Sequence, residues 1–148
     1  MDSKTVIENF YGSDDVLEFL SKDLKGTDEV GCVMDSNGNL HSIVTGTATG
    51  VSIDIPETNT DQFTGIHTHP SVSGTDISDK DIRSTNYPNI NFSIILSQRM
   101  FETAWDGICF KCSNMEITEC TRFVLECDGT TDGPAEDRYI TNPKLRYK

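Results

Sequence analysis

The sequence predicts an α+β fold, an α/β sandwich built around one β-sheet. Three observations carry this prediction: a helical hydrophobic pattern early in the chain, a series of strand-length apolar runs after it, and a second helical segment among those runs. The length of 148 residues suits one domain with a core of its own. We expect that domain to cover residues 1–127 and a polar, loosely held tail to cover residues 128–148.

The first predicted element is a helix over Gly12–Gly26. Ser13 can cap this helix, the two aspartates after it suit the positive end of the helix dipole, and Gly26 can form a left-handed stop. Strand-like segments then follow between turn residues, in the order EVGCVMD, LHSIVTG, GVSIDI and FTGIH.

The second half of the chain predicts one more helix and further strands. The segment SDKDIRSTNY begins with a capping serine and stops before Pro88, which predicts a helix. The apolar run NFSIILS predicts a strand. The residues around Asp106–Gly107 predict a hairpin with its turn at that dipeptide, and MEITECTRFVLEC predicts a last long strand.

The chain carries a formal net charge of −12. Such a charge repels phosphate backbones, so we expect no nucleic-acid partner, whereas a protein with a basic face would be attracted. No apolar run approaches membrane-spanning length, and the N-terminus lacks the pattern of a secretory signal. We therefore expect a cytoplasmic protein with no membrane partner. The oligomeric state does not follow from the sequence.

The cysteines, five in number, favour a reducing compartment because an odd count without an export signal argues against a disulfide framework. Cys109 and Cys112 have the spacing of a zinc knuckle, with Cys120 and Cys127 downstream. A second, structural zinc site is therefore one interpretation. The alternating, strand-like pattern around the first pair favours packing in the core instead.

The segment GIHTHPSVSGTDISDKDI places His67 and His69 two positions apart on a predicted strand. Alternate residues of a strand face the same side, so both rings can reach one ion. Asp81 follows in the first turn of the next helix, from which its carboxylate can return to the strand end. Two imidazoles and a carboxylate are ligands that zinc accepts, and three protein ligands leave a fourth position for water. The pattern therefore predicts a catalytic zinc site.

A hydrolase of this type also needs a general base and a group that stabilises the oxyanion. Glu29 opens the first predicted strand, where a carboxylate can reach over the end of a neighbouring strand, and it is our candidate for the base. Ser78 is the candidate for the oxyanion. Each has a simpler interpretation, since Ser78 also fits a helix cap and Glu29 a solvated charge. The combination is more specific than either residue alone.

Together these residues form a motif: His67-x-His69-Pro70, seven residues, then Ser78-x-x-Asp81. This motif resembles the signature of the JAMM (MPN+) zinc metalloproteases. The resemblance implies a JAMM/MPN-like zinc hydrolase domain with one mixed, partly curved β-sheet flanked by helices.

The resemblance also implies a function and roles for five residues. Members of the family bind one catalytic zinc ion and cleave peptide or isopeptide bonds, using a glutamate as base and a serine to stabilise the oxyanion. The implied zinc ligands are His67, His69 and Asp81, and the implied catalytic residues are Glu29 and Ser78. We expect the substrate to be the C-terminus of a ubiquitin-like or sulfur-carrier protein. Two alternatives stay open: another peptide substrate from a phage tail or cell wall, and a non-catalytic MPN-like interaction module.

The chain departs from the family pattern near the base. Many relatives read glutamate, two residues, glycine, whereas here Gly31 follows Glu29 after a single residue and Cys32 holds the usual glycine place. Alignment on the glycine would put Asp28 in the position of the base. We prefer Glu29, because Asp28 fits a turn or cap more simply.

Overall fold

The computed structural model describes residues 1–56, 61–100, 102–129 and 140–148. Within them the strands are β1 (Val30–Met34), β2 (Leu40–Thr45), β3 (Phe63–His69), β4 (Ile90–Gln98), β5 (Ala104–Ser113), β6 (Glu116–Gly129) and β7 (Ile140–Tyr147). The helices are α1 (Ser3–Tyr11), α2 (Val16–Ser21) and α3 (Asp79–Thr85), with a 3-10 turn over Ser71–Ser73. None of the described helices is long and apolar enough to cross a membrane.

All seven strands join one sheet in the order β2-β1-β3-β4-β5-β6-β7. The β3 and β4 strands run parallel, with α3 in the connection between them, and every other neighbouring pair is antiparallel. The sheet curls into a half-barrel. Because β3 is the third of the seven strands in this order, the end of β3 that carries the histidines lies inside the sheet, between β1 and β4.

The predicted fold class, an α+β sandwich flanked by helices, is wrong. Strands make up 46% of the described residues and helices 19%, so this part of the chain is mostly β with few helices. The prediction overestimated the helices, because the predicted helix over Gly12–Gly26 contains only the six-residue α2. It also underestimated the strands, since β5 has 10 residues and β6 has 14.

The predicted hairpin at Asp106–Gly107 is also wrong, because β5 runs through this dipeptide without a break. Gly107 allows the ring of Phe123 on β6 to lie against the strand: a Cβ atom on Gly107 would come within 2.3 Å of that ring. A glycine inside a strand often marks such a close approach rather than a turn. The chain reverses instead at Asn114 and Met115, whose φ angles are 52° and 63°.

The C-terminal residues differ from the loosely held tail that the sequence predicted. Ile140–Tyr147 forms β7, which pairs with β6 through registers such as Leu125 with Leu145. Residues 130–139 of the predicted tail lie outside the described residues. The side chain of Tyr11 donates to the main-chain oxygen of Pro143 at 2.7 Å, so β7 is also joined to α1.

A third predicted strand, GVSIDI, is not a strand in the structure. Residues 51–55 are irregular and lie over β1, where Ile53 and Ile55 pack against Val33, Phe63 and Ile90. This irregular segment becomes one wall of the candidate site described below.

The main core lies between one face of the sheet and the two N-terminal helices. The α1 helix was not predicted from the sequence; it buries Val6, Ile7 and Phe10 against the strands and is capped by the side chain of Asp2. In α2, Phe19 meets Phe10 edge to face, with 5.9 Å between the ring centroids. Burial of aromatic side chains of this size contributes much of the stability of a core.

Candidate metal centre

Three side chains meet at the C-terminal end of β3. Asp81 Oδ1 lies 3.0 Å from His67 Nε2, and Asp81 Oδ2 lies 3.3 Å from His69 Nε2. The two histidine Nε2 atoms are 3.2 Å apart. The structure therefore brings together the three residues that the sequence predicted as zinc ligands.

The position of the two rings follows from strand geometry. His67 pairs with Gly31 of β1 and with Ile95 of β4, so β3 is held on both sides. Ile66 and Thr68 are fully buried in the sheet. The histidines alternate with them and face the opposite side of β3, where each side chain keeps a little exposure, 15% for His67 and 12% for His69.

Asp81 reaches the histidines from the first turn of α3. Ser78 Oγ accepts from Asp81 N–H at 3.2 Å, and the Asp81 Oδ2 atom accepts from Ser78 N–H at 2.9 Å, which forms a capping box. Thr85 Oγ1 donates to the main-chain oxygen of Asp81 at 2.8 Å and contacts Ser93 Oγ of β4 at 2.6 Å. These bonds fix α3 against the sheet with its acidic residue above the end of β3.

The electrostatics keep Asp81 in its anionic form. Burial raises the pKa of Asp81, but hydrogen bonds from His67, His69 and the Ser78 main chain outweigh burial and hold the pKa well below its usual range. Burial lowers the pKa of His69, but the neighbouring Asp81 carboxylate outweighs it, so the net shift of that pKa is upward. An ionised carboxylate between two imidazoles is a site that attracts a cation.

The main chain fixes the orientation of His69. Its Nδ1 atom lies 3.1 Å from the main-chain oxygen of Gly74, which can only accept. Nδ1 therefore carries the hydrogen in the neutral ring, which leaves the Nε2 lone pair for a metal ion; without an ion, the Asp81 carboxylate favours a second hydrogen on Nε2. A second hydrogen bond of this kind is the usual support of a metal-ligating histidine.

The spacing of the donors fits one metal ion. One ligand atom from each of His67, His69 and Asp81 can be chosen so that all lie within 4.8 Å of one another, and no other such group occurs among the described residues. Tetrahedral coordination with bonds of about 2.0–2.1 Å places neighbouring ligands about 3.3 Å apart, close to the separations seen here. The residues therefore form a candidate metal centre, and its geometry does not by itself identify the metal.

A cavity of ≈ 610 Å³ opens onto the three donor residues. Glu29 lines it, whereas the exposed Asp28 does not. Gly31 pairs with His67 in an antiparallel ladder. Glu29, two residues before Gly31, therefore lies on the same face as His69, two residues after His67. The structure thus places Glu29, rather than Asp28, in the wall that faces the candidate metal centre.

The remaining walls of the cavity differ in polarity. Ser78 lines it near Asp81, with its oxygen already accepting the helix-capping hydrogen bond. A hydroxyl that accepts one hydrogen bond still has its own proton to donate. The irregular segment over β1 supplies aliphatic side chains, which are Val51, Ile53 and Ile55, and Tyr87 and Ile90 extend this apolar part.

The cysteines form no second metal group among the described residues, which include all five of them. Cys109 and Cys127 are buried, as the core-packing interpretation expected, whereas Cys120 is exposed and Cys112 is partly exposed. His41 is exposed on β2, 2.7 Å from Asp35, and takes no part in the candidate centre.

Sequence reasoning missed several residues around the centre. The Gly74 carbonyl and the Thr85–Ser93 hydroxyl pair support ligands, but ordinary loop and helix patterns surround them in the sequence. A buried carboxylate, Asp23, lies behind β3 and bonds to Thr68. The sequence did contain one indication of Asp23. An aspartate in the last turn of a helix interacts unfavourably with the helix dipole, so the place of Asp23 in the last turn of the predicted helix indicates another role.

No protein-family model matches the chain, and neither a comparison with curated proteins nor one with solved structures found a match. The resemblance to the JAMM metalloproteases therefore stays a prediction that rests on the motif.

Proposed function

We propose that the protein is a zinc-dependent metallopeptidase of the JAMM type, which hydrolyses a peptide or isopeptide bond. One observation carries the proposal: the donor atoms of His67, His69 and Asp81 converge in a cavity that Glu29 also lines. A metal site with three protein ligands and an adjacent carboxylate in an open cavity is the arrangement that metal-assisted hydrolysis requires.

Zinc is the metal that these ligands suit best. Two imidazole nitrogens favour zinc over magnesium or calcium, which prefer oxygen ligands and more of them. The Gly74 carbonyl orients the His69 ring with Nε2 toward Asp81, and Asp81 is held in the ionised form that binds a cation. When bound, such an ion lowers the pKa of water and polarises the substrate carbonyl.

The residues of the chain have separate tasks in this reaction. The Glu29 carboxylate accepts a proton from the attacking water and donates it to the amine as the carbon–nitrogen bond breaks. The Ser78 hydroxyl donates a hydrogen bond to the carbonyl oxygen, where negative charge develops. Since the capping box already orients Ser78, the hydroxyl needs little reorganisation when the charge forms.

The substrate in this proposal is the C-terminus of a ubiquitin-like or sulfur-carrier protein, processed in the cytoplasm. The family resemblance supplies this class, and the net charge of −12 suits a carrier with a basic face. An extended tail could pass along the cavity between the polar centre and its apolar wall. A peptide from a phage tail or cell wall is the alternative substrate.

The test combines metal analysis with cleavage assays. Purified protein is expected to contain one zinc ion, and to cleave a carrier protein with a linear or isopeptide-linked extension until a chelator is added. Glu29→Gln should keep the zinc and lose turnover, whereas the control Asp28→Asn should keep both. A protein that binds no divalent metal would refute the proposal and favour the non-catalytic module, and an active Glu29→Gln variant would refute the assigned base.

A further inference from the structure

A buried chain of hydrogen bonds runs behind the candidate metal centre, on the side of β3 away from the histidines. Asp23 Oδ2 accepts from Trp105 Nε1–H at 2.9 Å, and Asp23 Oδ1 accepts from Thr68 Oγ1–H at 3.3 Å. Thr68 Oγ1 accepts in turn from Val30 N–H at 2.9 Å. Asp23 is 1% exposed, and Thr68 and Trp105 are not exposed at all.

The chemistry of the groups fixes the direction of this chain. A main-chain N–H can only donate and an ionised carboxylate can only accept. The Thr68 hydroxyl therefore accepts from Val30 and donates to Asp23, and no apolar side chain could replace it in both roles. Each of these groups is buried, so a lost partner would leave a polar atom unsatisfied.

The Thr68 hydroxyl bonds to β1 at the place where its pairing with β3 ends. The last register pair is Gly31 with His67. One residue earlier, Val30 N–H bonds to the Thr68 side chain. The position of β1 at Val30, directly after the residue that we propose as the base, therefore depends on a side-chain hydroxyl.

Glu29 is held from the other side by the continuation of β2. Its main-chain N–H donates to Thr47 at 2.8 Å, and its main-chain oxygen accepts from Gly46 at 2.7 Å. The backbone of Glu29 is thus fixed on one side by these two bonds and on the other by the bond from Val30 to Thr68. If the bond from Val30 to Thr68 were lost, the Val30 N–H would need another acceptor. The start of β1 would then move, and the Glu29 carboxylate would move with it.

We propose that Thr68 and Asp23 are positioning residues for Glu29, holding its carboxylate at a fixed distance from the donor nitrogens of His67 and His69. This inference rests on the proposed function, in which Glu29 is the base. Thr68 lies between the two histidines in sequence, so one strand carries the ligands on one face and the support of the base on the other. Misplacement of a catalytic group by about 1 Å can lower a rate by about 100-fold.

The decisive variant is Thr68→Val, which keeps the shape of the side chain and removes its hydroxyl. It should lower kcat about 10- to 100-fold with KM and zinc content unchanged. The Val30 amide should exchange faster with solvent, because its acceptor is gone. In the cobalt-substituted protein, the pH midpoint of the visible absorption change should shift, because the Glu29 carboxylate would lie at a different distance from a water bound to that ion. Thr68→Ser keeps the hydroxyl and should therefore match the wild-type protein in kcat, Val30 amide exchange and the cobalt spectrum.

Two further variants separate positioning from general loosening of the strand. Thr64→Val is the matched control, since Thr64 is also buried on the same face of β3 but four positions from Thr68. It should leave kcat and the cobalt spectrum unchanged. If Thr68→Val does not fold, Asp23→Asn replaces it, because the amide offers only one acceptor oxygen in place of the two that accept from Trp105 and Thr68.

The outcomes separate this inference from the proposed function. Wild-type turnover by Thr68→Val, or an equal loss in Thr64→Val, overturns the positioning role while the peptidase stands. If the wild-type protein binds cobalt but cleaves no carrier, the proposed function fails and the cobalt spectra of the variants still decide the positioning role. If it binds no divalent metal, both fail.

Discussion

Ser78 and Asp81 cap each other, and the oxygen of Asp81 that accepts from Ser78 N–H is also the one that lies 3.3 Å from His69 Nε2. The start of α3 and the candidate metal centre therefore share one carboxylate. Substitutions at either residue should change helix stability and chemistry together, so a test of either role must separate the two.

Comparison of Ser78→Ala with Ser78→Gly achieves this separation. Loss of a serine cap costs about 1 kcal/mol with alanine but only a few tenths with glycine. If Ser78 also donates to the developing oxyanion, both variants should lose roughly 100-fold in kcat despite their different stability. Thermal unfolding and steady-state cleavage measure the two effects. A glycine variant that keeps most of its turnover would show that the hydroxyl acts through the cap alone.

The carbonyl of Gly74 offers a second prediction, about metal affinity. Gly74 has φ 62° and ψ −158°, a backbone conformation that residues other than glycine hardly adopt. Gly74→Ala should therefore shift the carbonyl away from His69 Nδ1. Loss of such a support should weaken zinc binding about 10- to 100-fold, measured by competition with a chromophoric chelator.

Gly38→Ala is the matched control for this variant. Gly38 also has a positive φ, 84°, but lies in the hairpin between β1 and β2, away from the donors. It should lose stability and keep its zinc affinity. An equal loss of affinity in both variants would mean that backbone strain in general, rather than the orientation of His69, weakens the site.

Sequence reasoning reached the centre of this site because its contacts are local. His67 and His69 share a face through strand alternation alone, and Ser78 and Asp81 meet within one helical turn. The supporting residues were out of reach for the opposite reason. Asp23 contacts Thr68 across 45 positions, and no periodic pattern encodes that contact.

The fold was predicted less well, because strand length depends on partners far away in the chain. Residues 140–147 read as a polar tail, since only alternate side chains face the protein when a strand lies at a sheet edge. The long β6 strand supplies the partner that makes this segment a strand. Turn signals such as Asp106–Gly107 were likewise overridden by a tertiary contact.

Asp23 predicts an unusual dependence of stability on pH. Burial, opposed by hydrogen bonds from Trp105 and Thr68, raises the pKa of Asp23 from 3.8 to about 6. The folded protein therefore holds this proton more tightly than the unfolded chain does. The contribution of Asp23 to stability is present below the unfolded pKa and is lost as the pH rises through about 6.

Asp23→Asn should remove this dependence. Between about pH 4.5 and about pH 7, the free energy of unfolding of the wild-type protein should fall by about 2 kcal/mol relative to that of the variant. Urea unfolding of metal-free protein, followed by Trp105 fluorescence, measures the difference. The exposed Asp14→Asn variant should run parallel to the wild type, and a parallel curve for Asp23→Asn would contradict a raised pKa.

The contact between Gly107 and Phe123 gives a last prediction, about the sheet itself. A Cβ atom at position 107 would lie 2.3–2.6 Å from three atoms of the Phe123 ring, which is fully buried. Overpacking of this kind costs about 1–3 kcal/mol, more than the roughly 0.5–1 kcal/mol that alanine gains over glycine in a strand. Gly107→Ala should therefore lower the free energy of unfolding.

A double-mutant cycle with Phe123→Leu tests whether the ring of Phe123 causes this loss. In the Phe123→Leu background the smaller side chain frees space, so Gly107→Ala should cost less, and urea unfolding of the four proteins measures the coupling. Equal effects in both backgrounds would mean that Gly107 serves β5 in some way other than by making room for the ring.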